Sequence, residues 1–227
     1  TNKSEDEKDG AKLDRARATL FQVGDELFSI PSPIQTAVLI KATGANFDKE
    51  MLNDASRAAT YSTRVQRSLN LGVYGADLAY ITMYDQTQAA ISYLNASRKI
   101  ADELGVSSAF DEAMLNRFQA NLGKKDSLLV LVAEAYRSSD SYLKNNERED
   151  VGSLILAGGW IEALYFATKV AKTTNNPEVN RRIGEQKNTL ENLIKLLQKN
   201  NNNEEFAEIV DELINLYSLF DEVEYLY

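Results

Sequence analysis

The chain has 227 residues and a formal net charge of −9, and it contains no histidine and no cysteine. Without Cys there is no thiolate nucleophile, disulfide or thiolate metal site, and without His there is no imidazole-based triad or metal ligand. The negative sign argues against a nucleic-acid partner, which would call for a basic face, and gives no attraction to an anionic membrane surface.

Residues 1–11 open with TNKSEDEKDG, polar and free of aromatics, and read as a disordered leader. It is either a tether from which a signal or lipid anchor has been trimmed or a loose terminus. From there on the apolar residues recur at helical spacing, with almost no strand-like alternation. A first helix is expected from about Lys12 to Phe28. Ser32-Pro33-Ile34-Gln35 supplies a cap and a Pro at the first helical position, so a second helix runs from Pro33 to about Thr43. A short helix over Asp48–Asp54 and one over Ala55–Asn70 follow. A long helix is then expected from Val73 to Leu104, stopped by Gly105. Further helices are read at 107–122, 126–144 and 147–172. Asn176-Pro177 caps the next, which ends near Lys199, and Asn202-Asn203-Glu204-Glu205 starts the last. Short loops make neighbours antiparallel. The expected fold is therefore all-α, an antiparallel multi-helix bundle of about nine or ten helices or a short helical-hairpin stack, with residues 12–227 forming one domain. No run of about 20 apolar residues is apparent, so no transmembrane span is expected.

Two segments attract chemistry. Leu154–Ala167, LILAGGWIEALYFA, is apolar almost all round, the pattern of a helix buried on every side. Gly158-Gly159 at its centre is costly in a helix and points to a kink, to close approach of another backbone, or to room left for something beside Trp160. Glu162 is its one charge. A buried carboxylate is paired, hydrogen-bonded or protonated, so Glu162 is either a general acid/base or ligand anchor, or half of a structural contact with Arg, Lys or Tyr. The second segment is Leu71–Ile91. On one continuous helix Tyr74, Asp77, Ile81, Tyr84 and Gln88 share a stripe. They would line a polar pocket for a small ligand such as a sugar, or they would form a helix interface whose Tyr hydroxyls reach backbone and carboxylates. No phosphate loop, nucleophile elbow or EF-hand pattern occurs. No cofactor and no metal site is read, and no residue is assigned a catalytic role.

The charge is unevenly placed. Residues 204–227 carry eight acids and no Lys or Arg. This segment is either a solvated face paired with the basic residues Arg181, Arg182, Lys187, Lys195 and Lys199, or a docking surface for a basic partner.

The stretches LNLGVYGADLAY (69–80), YDQTQAAI (84–91), SSAFDEAML (107–115) and LILAGGWIEALYFAT (154–168) resemble a family of exported all-helical proteins of Bacteroidetes-type bacteria. No activity is assigned to that family, so the resemblance transfers no catalytic residue. It implies a signal or lipoprotein peptide ahead of this sequence, a membrane tether through an N-terminal lipid anchor, and a place in the periplasm or at the outer membrane.

The reading that follows is a non-enzymatic binding or scaffolding module whose partner is a small-molecule ligand or an envelope protein. Tyr74, Asp77, Tyr84, Trp160 and Glu162 are its candidate ligand-binding residues. The alternative is a carboxylate-based hydrolase or lyase using Asp77 and Glu162 as an acid/base pair, which needs both carboxylates at an open cleft.

Overall fold

A computed structural model describes residues 18–23, 26–107, 112–121, 123–145, 148–199 and 204–223. Its α-helices are α1 (Pro33–Ala42), α2 (Arg64–Met83), α3 (Thr87–Leu104), α4 (Glu112–Ala120), α5 (Lys125–Asn145), α6 (Glu149–Thr174), α7 (Pro177–Lys199) and α8 (Glu204–Leu219). The architecture is an all-α helical bundle, as expected, with one small sheet at its edge. The leader at 1–11 lies outside the described residues.

That sheet corrects the first expected helix. Ala18–Val23 (β1) and Glu26–Pro31 (β2) form an antiparallel hairpin with Phe21 opposite Phe28, and β2 lies against α7. Leu13, Ala16, Leu20, Val23 and Leu27 have helical spacing. Gly24-Asp25, between two runs rich in Leu, Phe, Val and Ile, is nevertheless a two-residue hairpin signal, and the strands follow it.

The helix ends follow local chemistry in several places. Pro33 occupies the first turn of α1, but the Ser32 side chain makes no capping bond. Asn176 Oδ1 accepts from the Glu178 and Val179 amides at 2.9 and 3.3 Å and starts α7. Gly105 ends α3 in the left-handed conformation at φ 70°. The segment read as short helices at 48–70 is different. Asp48 and Asp54 cap only two 3₁₀ turns, Lys49–Met51 and Ala55–Ala59. The α-helix begins at Arg64, behind a capping box of Thr63 and Gln66, and runs unbroken through Gly72 to Met83.

The expected helix 73–104 is broken. Asp85 adopts φ 57°, its amide donates to the Thr82 carbonyl, and the Gln86 amide donates to the Ile81 carbonyl, both at 3.1 Å. These two bonds are a Schellman closure, with Asp in the place usually taken by Gly. The chain reverses there and lays α3 beside α2.

Helix α6 is apolar all round because it faces two cores. Val151, Ile155, Phe166 and Val170 join the core built from α1 to α5, while Leu154, Ala157 and Trp160 join a second core with α7 and α8. By length and composition α6 could cross a membrane, contrary to the sequence expectation. However, 72% of its most apolar stretch is buried inside this bundle, the pattern of a core helix.

The cross of α2 and α6 is set by two glycines, and the expected close approach at Gly158 is present. A Cβ on Gly158 would lie 1.9 Å from the Leu69 carbonyl oxygen, and one on Gly72 would lie 1.9 Å from the Ile155 carbonyl oxygen. Each glycine faces the carbonyl three residues before the other, so the two backbones touch reciprocally. This contact brings the middle of α2, with Asp77, against the middle of α6, with Glu162.

On the other side of α6, α7 and α8 form the expected hairpin. Leu190, Leu193, Ile194 and Leu197 meet Phe206, Val210 and Leu213. Several basic residues of α7 pair with acids of their own helix. Arg181 bonds Glu178 and Glu185, and Lys195 bonds Glu191, all within α7. Lys187 reaches Asp221 at 2.7 Å.

Candidate functional site

The Tyr/Asp stripe of α2 lies beneath the segment between α1 and α2. Residues 45–54 have little regular secondary structure, so their backbone polar groups need other partners. The stripe provides them. Tyr74 Oη donates to the Asp54 carbonyl at 2.7 Å, and Tyr84 Oη donates to the Ala45 carbonyl at 2.7 Å. Tyr80 Oη accepts from the Asp48 amide at 3.0 Å. Tyr93, brought in on α3 by the reversal at Asp85, donates to the Asn53 carbonyl. The rings form two groups: Tyr80 lies 4.8 Å from Phe166, 5.0 Å from Tyr84 and 5.5 Å from Phe47, and separately Tyr74 lies 5.8 Å from Tyr93. Lys41 Nζ covers the Tyr84 ring at 4.2 Å.

Asp77 is the centre of this clamp. It is fully buried, and its Oδ2 accepts from Asn53 twice, from the backbone amide at 3.3 Å and from Nδ2 at 3.4 Å. Its Oδ1 has no hydrogen-bond partner. Glu162, only 7% exposed, likewise has an Oε1 without a partner. Among the described residues no Lys or Arg forms an ion pair with either carboxylate. Burial raises the Asp77 carboxyl well above its usual range, and the nearby Glu162 charge raises it further, against the Asn53 bonds that lower it. Burial pushes Glu162 up to about 7, with the Asn53 side chain acting in the opposite direction. Two like carboxyls near one another in a low-dielectric core do not both ionise readily. At neutral pH the pair therefore holds proton density that an exposed pair would have lost.

Desolvation also raises Tyr74, Tyr80 and Tyr93, and it pushes Tyr84 up to about 12, so these hydroxyls stay neutral.

The five candidate residues divide into two groups. Tyr74, Asp77 and Glu162 gather at one centre, Tyr84 lies further along α2 with Tyr80 and Phe47, and both tyrosine hydroxyls are spent on backbone carbonyls. Trp160 points the other way, 2% exposed in the second core, with Nε1 donating to Gln186 Oε1 of α7 at 2.9 Å. Two positions separate it from Glu162, about 200° around a helix. Gln88, placed on the stripe by the continuous-helix reading, is exposed on α3 beyond the reversal. The ion-pair alternative for Glu162 is not met among the described residues. Asn53 and Tyr93 belong to the centre, and sequence reasoning missed them. Asn53 stands in an Asn-Asp pair that looks like ordinary capping, and Tyr93 comes into place only through the turn at 84–86.

Two small cavities lie away from this centre. One, about 20 Å³, is lined by Leu71, Leu78, Leu94, Phe118 and the partnerless Ser97 hydroxyl. The other, about 30 Å³, lies beside Trp160 and Arg182. Each has room for a water or two. Among the described residues no cluster of three or more acidic side chains is arranged to hold a metal.

No family model matches the chain, and no curated protein or solved structure is similar to it.

Asn53→Ala tests the clamp. Asp77 would lose one of its two donors inside the core. A buried group left short of a partner costs about 1–3 kcal/mol. The expected loss in denaturant unfolding is of that size and larger at pH 8 than at pH 5, because the charged carboxylates depend most on the donor. An unchanged midpoint at pH 8 would remove Asn53 from the centre.

Proposed function

We propose that the protein is a non-enzymatic binding or scaffolding module. The observation that carries this reading is the sealing of Asp77. Its hydrogen-bond partners among the described residues are donors of the overlying segment, and the neighbouring Tyr74 and Tyr93 hydroxyls are committed to backbone. An acid/base pair needs a reacting atom between two groups that substrate can reach. Asp77 and Glu162 offer no such opening among the described residues. The tyrosines act as a brace that fixes the 45–54 segment to the bundle, and this favours a rigid platform over a hydrolase or lyase. The negative charge makes a nucleic-acid partner unfavourable. A place in the cell envelope, periplasmic or at the outer membrane and held there by a lipid anchor, rests on the resemblance of the sequence to exported helical proteins.

Carbodiimide coupling of carboxyls to an amine, read by peptide mass spectrometry on the folded protein, tests the reading. Exposed acids such as Glu208 and Glu212 are expected to label, while Asp77 and Glu162 stay unlabelled until denaturant is added. Labelling of both in the native state would mean reagent reaches the pair, and would restore the carboxylate-enzyme alternative.

A further inference from the structure

The outward face of α8 and the turn after it combine two features that a solvated surface does not need together. The inward residues Phe206, Val210, Leu213 and Phe220 are buried. Outward, Glu208, Asp211 and Glu212 are exposed, and on the helical period they share a face with Leu219. Leu219 is 61% exposed and Val223, past the turn, is 40% exposed, whereas Ile214, 39% exposed, lies about 140° around the helix from Leu219. Two of the four large apolar side chains exposed among the described residues thus lie at this end of α8, near its acids.

Most of the acids there have no cation partner among the described residues. Residues 204–227 contain no Lys or Arg. Lys187 is engaged with Asp221, and Glu205 accepts from the Thr63 hydroxyl at 2.7 Å. Among the described residues no cation pairs with Glu208, Asp211 or Glu212. Acids in the first turn of a helix are favoured by its dipole, but acids at its C-terminal end are not. Glu204 and Glu205 are therefore accounted for within the helix, whereas Glu222, just past its last turn, raises the local negative potential.

We propose that this face docks a basic amphipathic segment of a partner protein, its apolar side on Leu219 and Val223 and its Lys or Arg side chains on Glu208, Asp211, Glu212 and Glu222. Given the binding-module reading above, this is the surface at which the module meets its partner. Charge complementarity selects the occupant. A second copy presenting the same face would bring like charges together, and an anionic lipid surface would be repelled.

The test uses a fluorescent Lys/Leu peptide patterned as an amphipathic helix, titrated into the full chain and followed by anisotropy. A peptide of the same composition in scrambled order is the control. The patterned peptide is expected to bind, with affinity falling as salt rises, and to bind more tightly than the scrambled one. Asp211→Lys with Glu212→Lys, and separately Leu219→Ser, are each expected to weaken it by about tenfold or more, with unfolding midpoints unchanged because these side chains are exposed. No binding at low salt, equal affinity for both peptides, or no effect of the substitutions would overturn the proposal. So would self-association abolished by the same charge reversals, which would give the face to a second copy, or cross-links from α8 to residues 1–17. If the peptide fails while Asp77 and Glu162 remain unlabelled by carbodiimide, the basic partner falls and the non-enzymatic reading stands.

Discussion

Gly158→Ala is expected to destabilise the protein by about 3 kcal/mol or more, at the upper end of overpacking costs. In an exposed helix the same change would stabilise by about 1 kcal/mol, since alanine is the better helix former. The sign reverses here because the new methyl would lie 1.9 Å from the Leu69 carbonyl oxygen and 2.8 Å from its carbon. Those atoms are backbone and cannot rotate away. Only a shift of α2 from α6 makes room, and that shift loosens the tyrosine cluster between Tyr80 and Phe166. Gly72→Ala meets the same obstacle from the other helix, with the Ile155 carbonyl oxygen at 1.9 Å and the Gly159 amide nitrogen at 2.6 Å. Once one methyl has separated the helices, the second meets less resistance. The double variant is therefore expected to lose less than the sum of the single losses, a coupling that a double-mutant cycle in urea measures. Single variants as stable as the parent would mean that the two backbones do not touch.

The glycine contact shows which parts of this fold can be read from sequence. Gly158-Gly159 in an all-apolar helix signals a close neighbour, and Leu154–Ala167 announces its own burial. The stop at Gly105 depends on one residue's backbone preference and the start at Asn176-Pro177 on a side-chain cap, so they too are visible. The break at 84–86 is not. Asp85 has no special need for φ 57°, and the Schellman closure forms because α3 finds its apolar face against α2 and the segment above it. Continuous periodicity through Tyr84 therefore predicts one helix where tertiary packing makes two. At 18–31 helical spacing and a hairpin signal compete, and Gly24-Asp25 outweighs the spacing.

The candidate site follows the same division. Asp77 and Glu162 stand out as acids in apolar surroundings, and their meeting is foreshadowed by the glycines that bring α2 and α6 together. What the tyrosines do is hidden, because their partners are backbone groups of residues 45–54, and a main-chain carbonyl leaves no mark in a sequence. Trp160 looks like a pocket wall beside Glu162 until the helical angle between them is drawn. The basic residues of α7 look like partners for the acidic α8, yet Arg181 reaches Glu178 and Glu185 a turn away at far lower entropic cost.

The buried acids make stability depend on pH in a direction opposite to ordinary acid denaturation. Glu162 has a reference value of 4.5 and is raised to about 7 in the fold, and Asp77 is raised from 3.8. A carboxyl whose folded value is raised binds its proton more tightly when folded. Its stabilising effect is therefore complete below the unfolded value and is lost as pH climbs to the folded one. For Glu162 the window is pH 4.5 to about 7, and the loss is about 3 kcal/mol. Asp77 acts in the same direction. Asp54 and Glu178, whose carboxyls are lowered by hydrogen bonds from Ser56 and Arg181, act oppositely but only at more acid pH. Unfolding in guanidinium is thus expected to show greater stability at pH 5 than at pH 8. Glu162→Gln isolates the cause. The amide carries no charge to desolvate, and it removes the charge that acts on Asp77. The variant is expected to match the parent near pH 4.5 and to exceed it by about 3 kcal/mol at pH 8. A buried ion pair predicts the reverse, a loss of about 3–5 kcal/mol on removing one partner. A Glu162→Gln variant less stable than the parent at pH 8 would require a cation beside Glu162 and would reassign the centre as a salt-bridged core.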